Sequence, residues 1–316
     1  MSRRTLLVLA LTVVAAALAA GALLARDVEA KPCNPAHPCP SPTVSPPPTG
    51  DDPVITAAGD IADPTPTAAT KATAQLVSSI NPTVALTLGD NQYETGALAD
   101  FRTGYGTTWG AFLSRTRPAV GNHEYKSSST AAGYFDYFGG RAPDNYYSFN
   151  VGAWHLISLD SNCAFAGGCG AGSRQYEWLK ADLAAHRARC ILAYFHHPRW
   201  SSGAAHGNSS QVGPFINLLY NAGAEVVLSG HEHNYERYAP QTPGGAVDTE
   251  RGIVQFVVGT GGHSLYPMGP ADANSRVRNT SSYGVLKMTL RPGSYSFSFR
   301  PVLGGSFTDA GSASCH

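Results

Sequence analysis

The chain has 316 residues, of which 43% are apolar and only 14% charged, with a formal net charge of zero. That balance excludes a broad electrostatic field for nucleic acid or an anionic membrane surface, so any anion recognition must be local. Beyond a first stretch of about fifty atypical residues, roughly 260 remain, enough for one large domain or two small ones.

Residues 1–30, MSRRTLLVLALTVVAAALAAGALLARDVEA, combine a two-arginine start, an unbroken apolar stretch from Thr5 to Ala25 and a small-residue end at Val28-Glu29-Ala30. This is the pattern of an export signal, and the SRRTLL start is compatible with the twin-arginine type. About 20 apolar residues could also span a bilayer as an uncleaved anchor. Cleavage is the favoured reading, because alanine-rich segments insert less firmly than leucine-rich ones. Residues 31–53 are too proline-rich for helix or central strand and read as a stiff spacer, placing the folded domain at 54–316. Six cysteines in an exported chain favour disulfides over thiolate metal sites. Proximity suggests Cys33–Cys39, Cys163–Cys169 and Cys190–Cys315, one connectivity among many.

Along the domain, apolar β-branched runs end in glycine or a polar residue: PVITAAGD (53–60), PTVALTLGD (82–90), RPAVGNH (117–123), CILAYFHHP (190–198) and AEVVLSGHEH (224–233). Such continuous runs suit strands covered on both faces. Helical patterns lie between them. Residues 65–80 are alanine-rich without glycine, 173–187 offer Ser173 as N-cap before one apolar face, and 213–223 carry Pro214 at the start and Gly223 at the end. A two-strand unit at 145–160 should turn around Asn150 to Gly152, and a hairpin at 283–302 around Pro292-Gly293. Alternating strands and helices followed by hairpins imply an α/β fold, with mixed sheets packed together and helices outside.

The strand ends carry the chemistry. Asp60, Asp90 with Tyr93, Asn122 with His123, His196 with His197, and His231 with His233 all fall at or just past the carboxyl end of an expected strand. Ligands bind at that edge in open α/β sheets. Each piece has a plain reading: Gly-Asp as an ordinary turn, GNHE as another, His196-His197 as a packed pair. GHEH is harder to dismiss, since 34 glycines and 11 histidines rarely produce it by chance. Oxygen and imidazole donors without Cys-x-x-Cys suit a pair of borderline-to-hard cations better than a structural zinc.

The ordered series GD, GDNQY, GNHE, HHP and GHEH, from about Val54 to His233, resembles the calcineurin-like metallophosphoesterases, and within them the purple acid phosphatases. The resemblance implies a four-layer sandwich of two mixed sheets between helices. Relatives with Asp-x-His at the first motif bind metal through that histidine, but here Ile61 stands there, and Tyr93 would supply the missing donor. By the resemblance, Asp60, Tyr93 and His233 bind a first metal, Asn122, His196 and His231 a second, and Asp90 bridges, each oxygen taking one ion. Glu232 would point away, and His197 would support or pack against the ligands. Ala62 departs from the usual Gly-Asp-x-Gly, leaving the loop's shape open. By the same resemblance, Tyr93 as a tyrosinate would favour a ferric ion beside divalent zinc, manganese or iron, and charge transfer between them would colour the protein.

The activity that the resemblance implies is that of a phosphohydrolase in which a metal-bound hydroxide attacks phosphate in line. His123 and His206 would contact phosphate or protonate the leaving group, with an exposed, idle His206 as the plain alternative. His155 and His186 read as ordinary strand and helix-surface residues. The expected partner is a small phosphomonoester, with no nucleic-acid scaffold, and membrane contact only if the N-terminal segment is kept. A phosphodiesterase or nucleotidase with the same metals competes, as does a phosphate- or metal-binding surface protein without turnover.

Overall fold

The computed structural model describes residues 52–316. The expected export signal, the spacer up to residue 51 and the Cys33–Cys39 pairing lie outside these residues. In chain order the first elements are β1 (Val54–Ala58), α1 (Ala68–Ile80), β2 (Val84–Leu88), α2 (Leu98–Thr103), β3 (Thr116–Ala119) and α3 (Ala132–Phe138). Next come β4 (Tyr147–Val151), β5 (Trp154–Ser158), α4 (Arg174–Ala185), β6 (Cys190–Tyr194), α5 (Gly213–Asn221) and β7 (Val226–Ser229). Six strands close the chain: β8 (Tyr235–Tyr238), β9 (Val254–Val258), β10 (Ser275–Asn279), β11 (Gly284–Arg291), β12 (Ser294–Pro301) and β13 (Ala310–Ser314).

Local chemistry accounts for the helix ends. The Thr67 hydroxyl accepts from the Thr70 amide at 3.0 Å to start α1, and Asn81 ends it in the left-handed conformation. Ser173 caps α4 in the same way through the Tyr176 amide, as its sequence position predicts. Pro214 sits in the first turn of α5, where no intrahelical N–H is needed.

The strands form two mixed sheets, in the orders β13-β12-β11-β1-β2-β3 and β10-β8-β9-β7-β6-β5-β4. Within them β1, β2 and β3 run parallel, as do β5, β6, β7 and β9. Side-chain alternation along β6 shows how the layers stack. Leu192 and Tyr194 join Ile55, Leu86, Leu228 and Phe256 in a core between the sheets. Ile191, Ala193 and Phe195 face the other way, against Leu179 and Leu183 of α4 and Phe215, Ile216 and Leu219 of α5. Ala74 and Val77 of α1 cover the first sheet. The result is the expected helix–sheet–sheet–helix order.

The β4–β5 turn comes later than expected, because Val151 still pairs with Trp154 and a two-residue turn with Gly152 at φ 58° closes it. The second hairpin turns at Pro292-Gly293 as read. Two disulfides match the proximity pairing, Cys163–Cys169 and Cys190–Cys315. The second joins the start of β6 to the end of β13, and so ties one sheet to the other.

Parallel alignment puts the carboxyl ends of β1, β2, β3, β6 and β7 on one edge, where the sheets meet. Gly59 there donates to the Val258 carbonyl of the opposite sheet at 2.9 Å, and the Asp60 and Ile61 amides to the carbonyls of Gly89 and Asp90.

Candidate metal centre

Three side chains at this edge leave strands on backbone that non-glycine residues seldom adopt: Asp60 at φ 61°, Asp90 at 46° and His231 at 71°. Strain of this kind persists only where the surroundings hold it, and it clusters at functional sites. Two glycines make the close approach possible. A Cβ on Gly121 would overlap the backbone nitrogen and Oδ1 of Asp90, and one on Gly89, itself at φ 83°, would run into the His196 ring. The motif glycines are thus spacing devices as well as turns.

The seven expected ligands come together in two groups. In the first, the Tyr93 hydroxyl lies 3.0 Å from Asp60 Oδ1, 3.1 Å from Asp90 Oδ2 and 3.0 Å from His233 Nε2. In the second, His196 Nε2 lies 2.9 Å from Asn122 Oδ1, 3.1 Å from His231 Nδ1 and 3.3 Å from Asp90 Oδ2. One expectation fails in detail. Asp90 does not offer one oxygen to each group: Oδ1 accepts the His123 amide at 2.8 Å, so Oδ2 alone faces both. The tight turn of GNHE delivers that amide and takes the oxygen out of play.

Donor chemistry tests whether cations fit. His196 Nδ1 is 2.9 Å from the Leu88 carbonyl and His233 Nδ1 is 2.6 Å from that of Ser264. Each ring therefore holds its proton outward and turns the Nε2 lone pair into the cluster, as metal-binding histidines do. His196 Nε2 then faces the Asn122 oxygen, lone pair against lone pair, and a single Tyr93 proton faces three acceptors. With protein atoms alone, a proton has to stand in for the missing charge. Burial pushes His196 down, but the Asp90 charge and hydrogen bond outweigh it and raise the ring to about 9. Burial, then Asp60 and Asp90, hold the Tyr93 phenol well above its ordinary value. Two carboxylates at 0% and 2% exposure, with no lysine or arginine paired to them among the described residues, fit bound cations.

The two expected acid–base histidines flank the groups. His123 Nδ1 is 2.7 Å from the Glu94 carbonyl, its Nε2 is 3.8 Å from Asp90 Oδ2, and its ring packs 4.3 Å from that of Tyr93. Burial lowers its pKa, with Asp90 opposing and Lys126 assisting the drop. His206 is exposed, and its ring stacks on that of His231 at 4.0 Å. His197 lies 2.8 Å from the Ser161 hydroxyl and 4.3 Å from the His231 ring, and burial followed by the His196 charge lowers it to about 3. Ala62 leaves the first loop intact, its carbonyl accepting the Tyr93 amide at 2.8 Å.

Other residues at the site were not singled out from sequence. Glu124 is fully buried and accepts from the amides of Asn91, Gln92 and Gly121, bracing the loop between Asp90 and Tyr93; burial and then the Asp90 charge raise it to about 8. His263, held by Asp63 at 2.8 Å, stacks on Tyr93 at 3.8 Å, and Tyr266 stacks on His233 at the same distance. Lys126 brings its ammonium within 2.8 Å of His123 Nε2. Only the GNHEYK run hinted at any of these, through its proximity to Asn122. His155 and His186 differ from their plain reading in that Asp182 joins them, at 2.7 and 3.1 Å.

A family profile described as calcineurin-like phosphoesterase matches residues 49–235. Purple acid phosphatase 18 of Arabidopsis thaliana is 31% identical over 227 residues, covering 65% of this chain and 49% of the relative. Purple acid phosphatase 15 of the same plant is 32% identical over 149 residues, 41% of this chain and 27% of the relative. The chain thus aligns with half or less of these relatives' length. The solved purple acid phosphatase PPD1 from yellow lupin seeds superposes with a TM-score of 0.64 at 18% identity, covering 83% of this chain and 53% of that one. GAP50, the anchor in the inner membrane complex of Plasmodium, gives 0.63 at 16% identity, covering 82% of this chain and 88% of that one. At these identities the two structures share the fold. From the extent of the profile match, with the purple acid phosphatases among its relatives, this chain belongs to the calcineurin-like phosphoesterase family.

Proposed function

We propose that this protein is an exported metal-dependent phosphoester hydrolase of purple acid phosphatase type, acting on phosphomonoesters with two metal ions. Asp60, Tyr93 and His233 would hold the first ion, Asn122, His196 and His231 the second, and Asp90 Oδ2 both. Tyr93 as an anionic donor suits a ferric ion, with a divalent zinc, manganese or iron as the second. Bound cations supply Lewis acidity that draws charge from a phosphate and acidifies an attacking water.

The chain's own residues do the rest. Asp90 and Asp60 neutralise and orient, their outer oxygens fixed by the amides of His123 and His231. His123 keeps its Nδ1 on the Glu94 carbonyl, so any proton it exchanges with substrate moves at Nε2. Lys126 beside that nitrogen adds positive charge for a phosphate oxygen. The stacking of His206 on His231 supports a role for it in protonating a leaving group. The relatives named purple acid phosphatases support the monoester reading, and two disulfides support export.

The observation that carries this reading is the convergence of inward imidazole lone pairs on two buried carboxylates and a phenol. Purified protein should contain two metal ions per chain, absorb visible light and cleave p-nitrophenyl phosphate faster than bis-p-nitrophenyl phosphate. Metal-loaded protein that cleaved neither ester would leave a binding role instead, and faster diester cleavage would move the activity to the phosphodiesterases.

A further inference from the structure

We infer that Glu232, between the two histidines of GHEH, is a positioning residue whose buried carboxyl holds the His206 loop so that the His206 ring stays over His231. The inference rests on the phosphatase reading above.

Glu232 is fully buried and points away from the metal-binding groups into the loop of residues 201–208. Its Oε1 accepts the amides of His206 and Gly207, both at 2.5 Å. Its Oε2 finds no hydrogen-bond partner among the described residues and lies against Gly203, where a Cβ would overlap the carboxyl. A buried carboxyl is unfavourable unless hydrogen-bonded, so this one is held in place by the two amides it satisfies.

The loop needs that hold. Its sequence, SSGAAHGN, has few side chains that could anchor it, and Gly207 stands at φ 68°. Its ends are joined to each other by the Ser201 amide donating to the Asn208 side chain, and the Ser202 amide and hydroxyl donate to Glu236 outside the loop. Ala204 is tied to the Pro267 carbonyl at 3.1 Å. At His206 itself the backbone rests on Glu232. The ring is placed by stacking, 4.0 Å from His231 and 5.9 Å from Tyr266. Because Glu232 lies between His231 and His233 in the chain, the backbone that carries those two rings also carries the carboxyl that anchors the acid. A dipeptide's worth of backbone thus connects metal binding to the placement of the proton donor.

The test uses the full chain, metal-loaded, with p-nitrophenyl phosphate as substrate and amide-hydrogen exchange of a peptide spanning 203–208 as an independent readout. Glu232→Ala should keep both metals and exchange its 206 and 207 amides at least about tenfold faster. It should lower kcat about ten- to a hundredfold with little change in KM, since a displaced acid acts poorly on bound substrate. His206→Ala should cause a similar loss, and the double variant no further one, because both remove the same function. Glu232→Gln, which keeps an acceptor oxygen, should recover protection and most of kcat. Unchanged exchange in Glu232→Ala, or losses that multiply in the double variant, would overturn the inference. If Glu232→Ala sheds metal, Gly203→Ala decides: it displaces the carboxyl without altering a ligand segment, and retained protection there also counts against the inference. A wild-type protein that is inactive on phosphoesters would remove the phosphatase reading, while the exchange data would still report whether Glu232 holds the loop.

Discussion

The Tyr93 hydroxyl and Asp90 Oδ2 lie 3.1 Å apart, and that same carboxylate oxygen is 3.3 Å from His196 Nε2. One atom therefore faces both groups of donors. Asp90→Ala is expected to empty both metal positions and lower turnover by more than about a hundredfold. Elemental analysis beside kinetics checks this, and a variant retaining one ion at full occupancy would contradict a shared ligand.

Tyr93→Phe removes a donor to the first group alone, so it should abolish visible absorption while the second metal remains bound. A variant that keeps the band would assign the colour to another group.

His123 contributes its amide to Asp90 and its ring to the space beside the site. Replacing it with alanine preserves the amide. Metal content should stay at the wild-type level while kcat falls by about a hundredfold or more, the usual scale of a lost acid–base group. Loss of metal in this variant would show that the ring, not only the amide, supports binding.

Gly121→Ala drives a methyl group into the backbone and carboxylate of Asp90. Overpacking here should cost about 1–3 kcal/mol in denaturant unfolding, and metal affinity should fall with it. Wild-type stability and affinity would mean that the loop yields at no cost.

The Cys190–Cys315 bridge spans 125 residues and joins the two sheets, whereas Cys163–Cys169 spans six. Loop-closure entropy predicts a loss of about 5 kcal/mol for Cys315→Ser and about 2 kcal/mol for Cys169→Ser. Thermal unfolding of the two variants should rank them in that order.

Far from the metal groups, burial raises Glu225 from 4.5 to about 7, against the opposing effects of the His316 amide and Arg189. A carboxyl with a raised folded-state pKa binds its proton more tightly in the folded chain. Its contribution is full below about pH 4.5 and is lost as pH rises toward about 7. Allowing for solvent screening, the loss is about 2 kcal/mol. Glu225→Gln should flatten unfolding stability across that window, and an unchanged slope would assign the dependence to other groups.

The sequence by itself determined the donors and the edge they share. Asp60, Asp90, Asn122, His196 and His231 each come after a short apolar run bounded by glycine or a polar residue, the pattern of a buried strand, and parallel strands bring their carboxyl ends to one side. The helix punctuation at Ser173 and Pro214 was equally legible, because capping is settled within a turn of chain. Short polar strands such as β10, SRVRN, and β13, AGSAS, carried no such signal, since neighbouring strands rather than their own apolar content keep them paired. Tertiary structure alone decided which oxygen of Asp90 stays free, and which loops Glu124 and Glu232 brace: the first the one between Asp90 and Tyr93, the second the one that carries His206. It alone set His263 and Tyr266 against Tyr93 and His233. Those contacts join segments far apart in the chain, and local periodicity records which face a residue occupies, whereas packing chooses the neighbour that meets it.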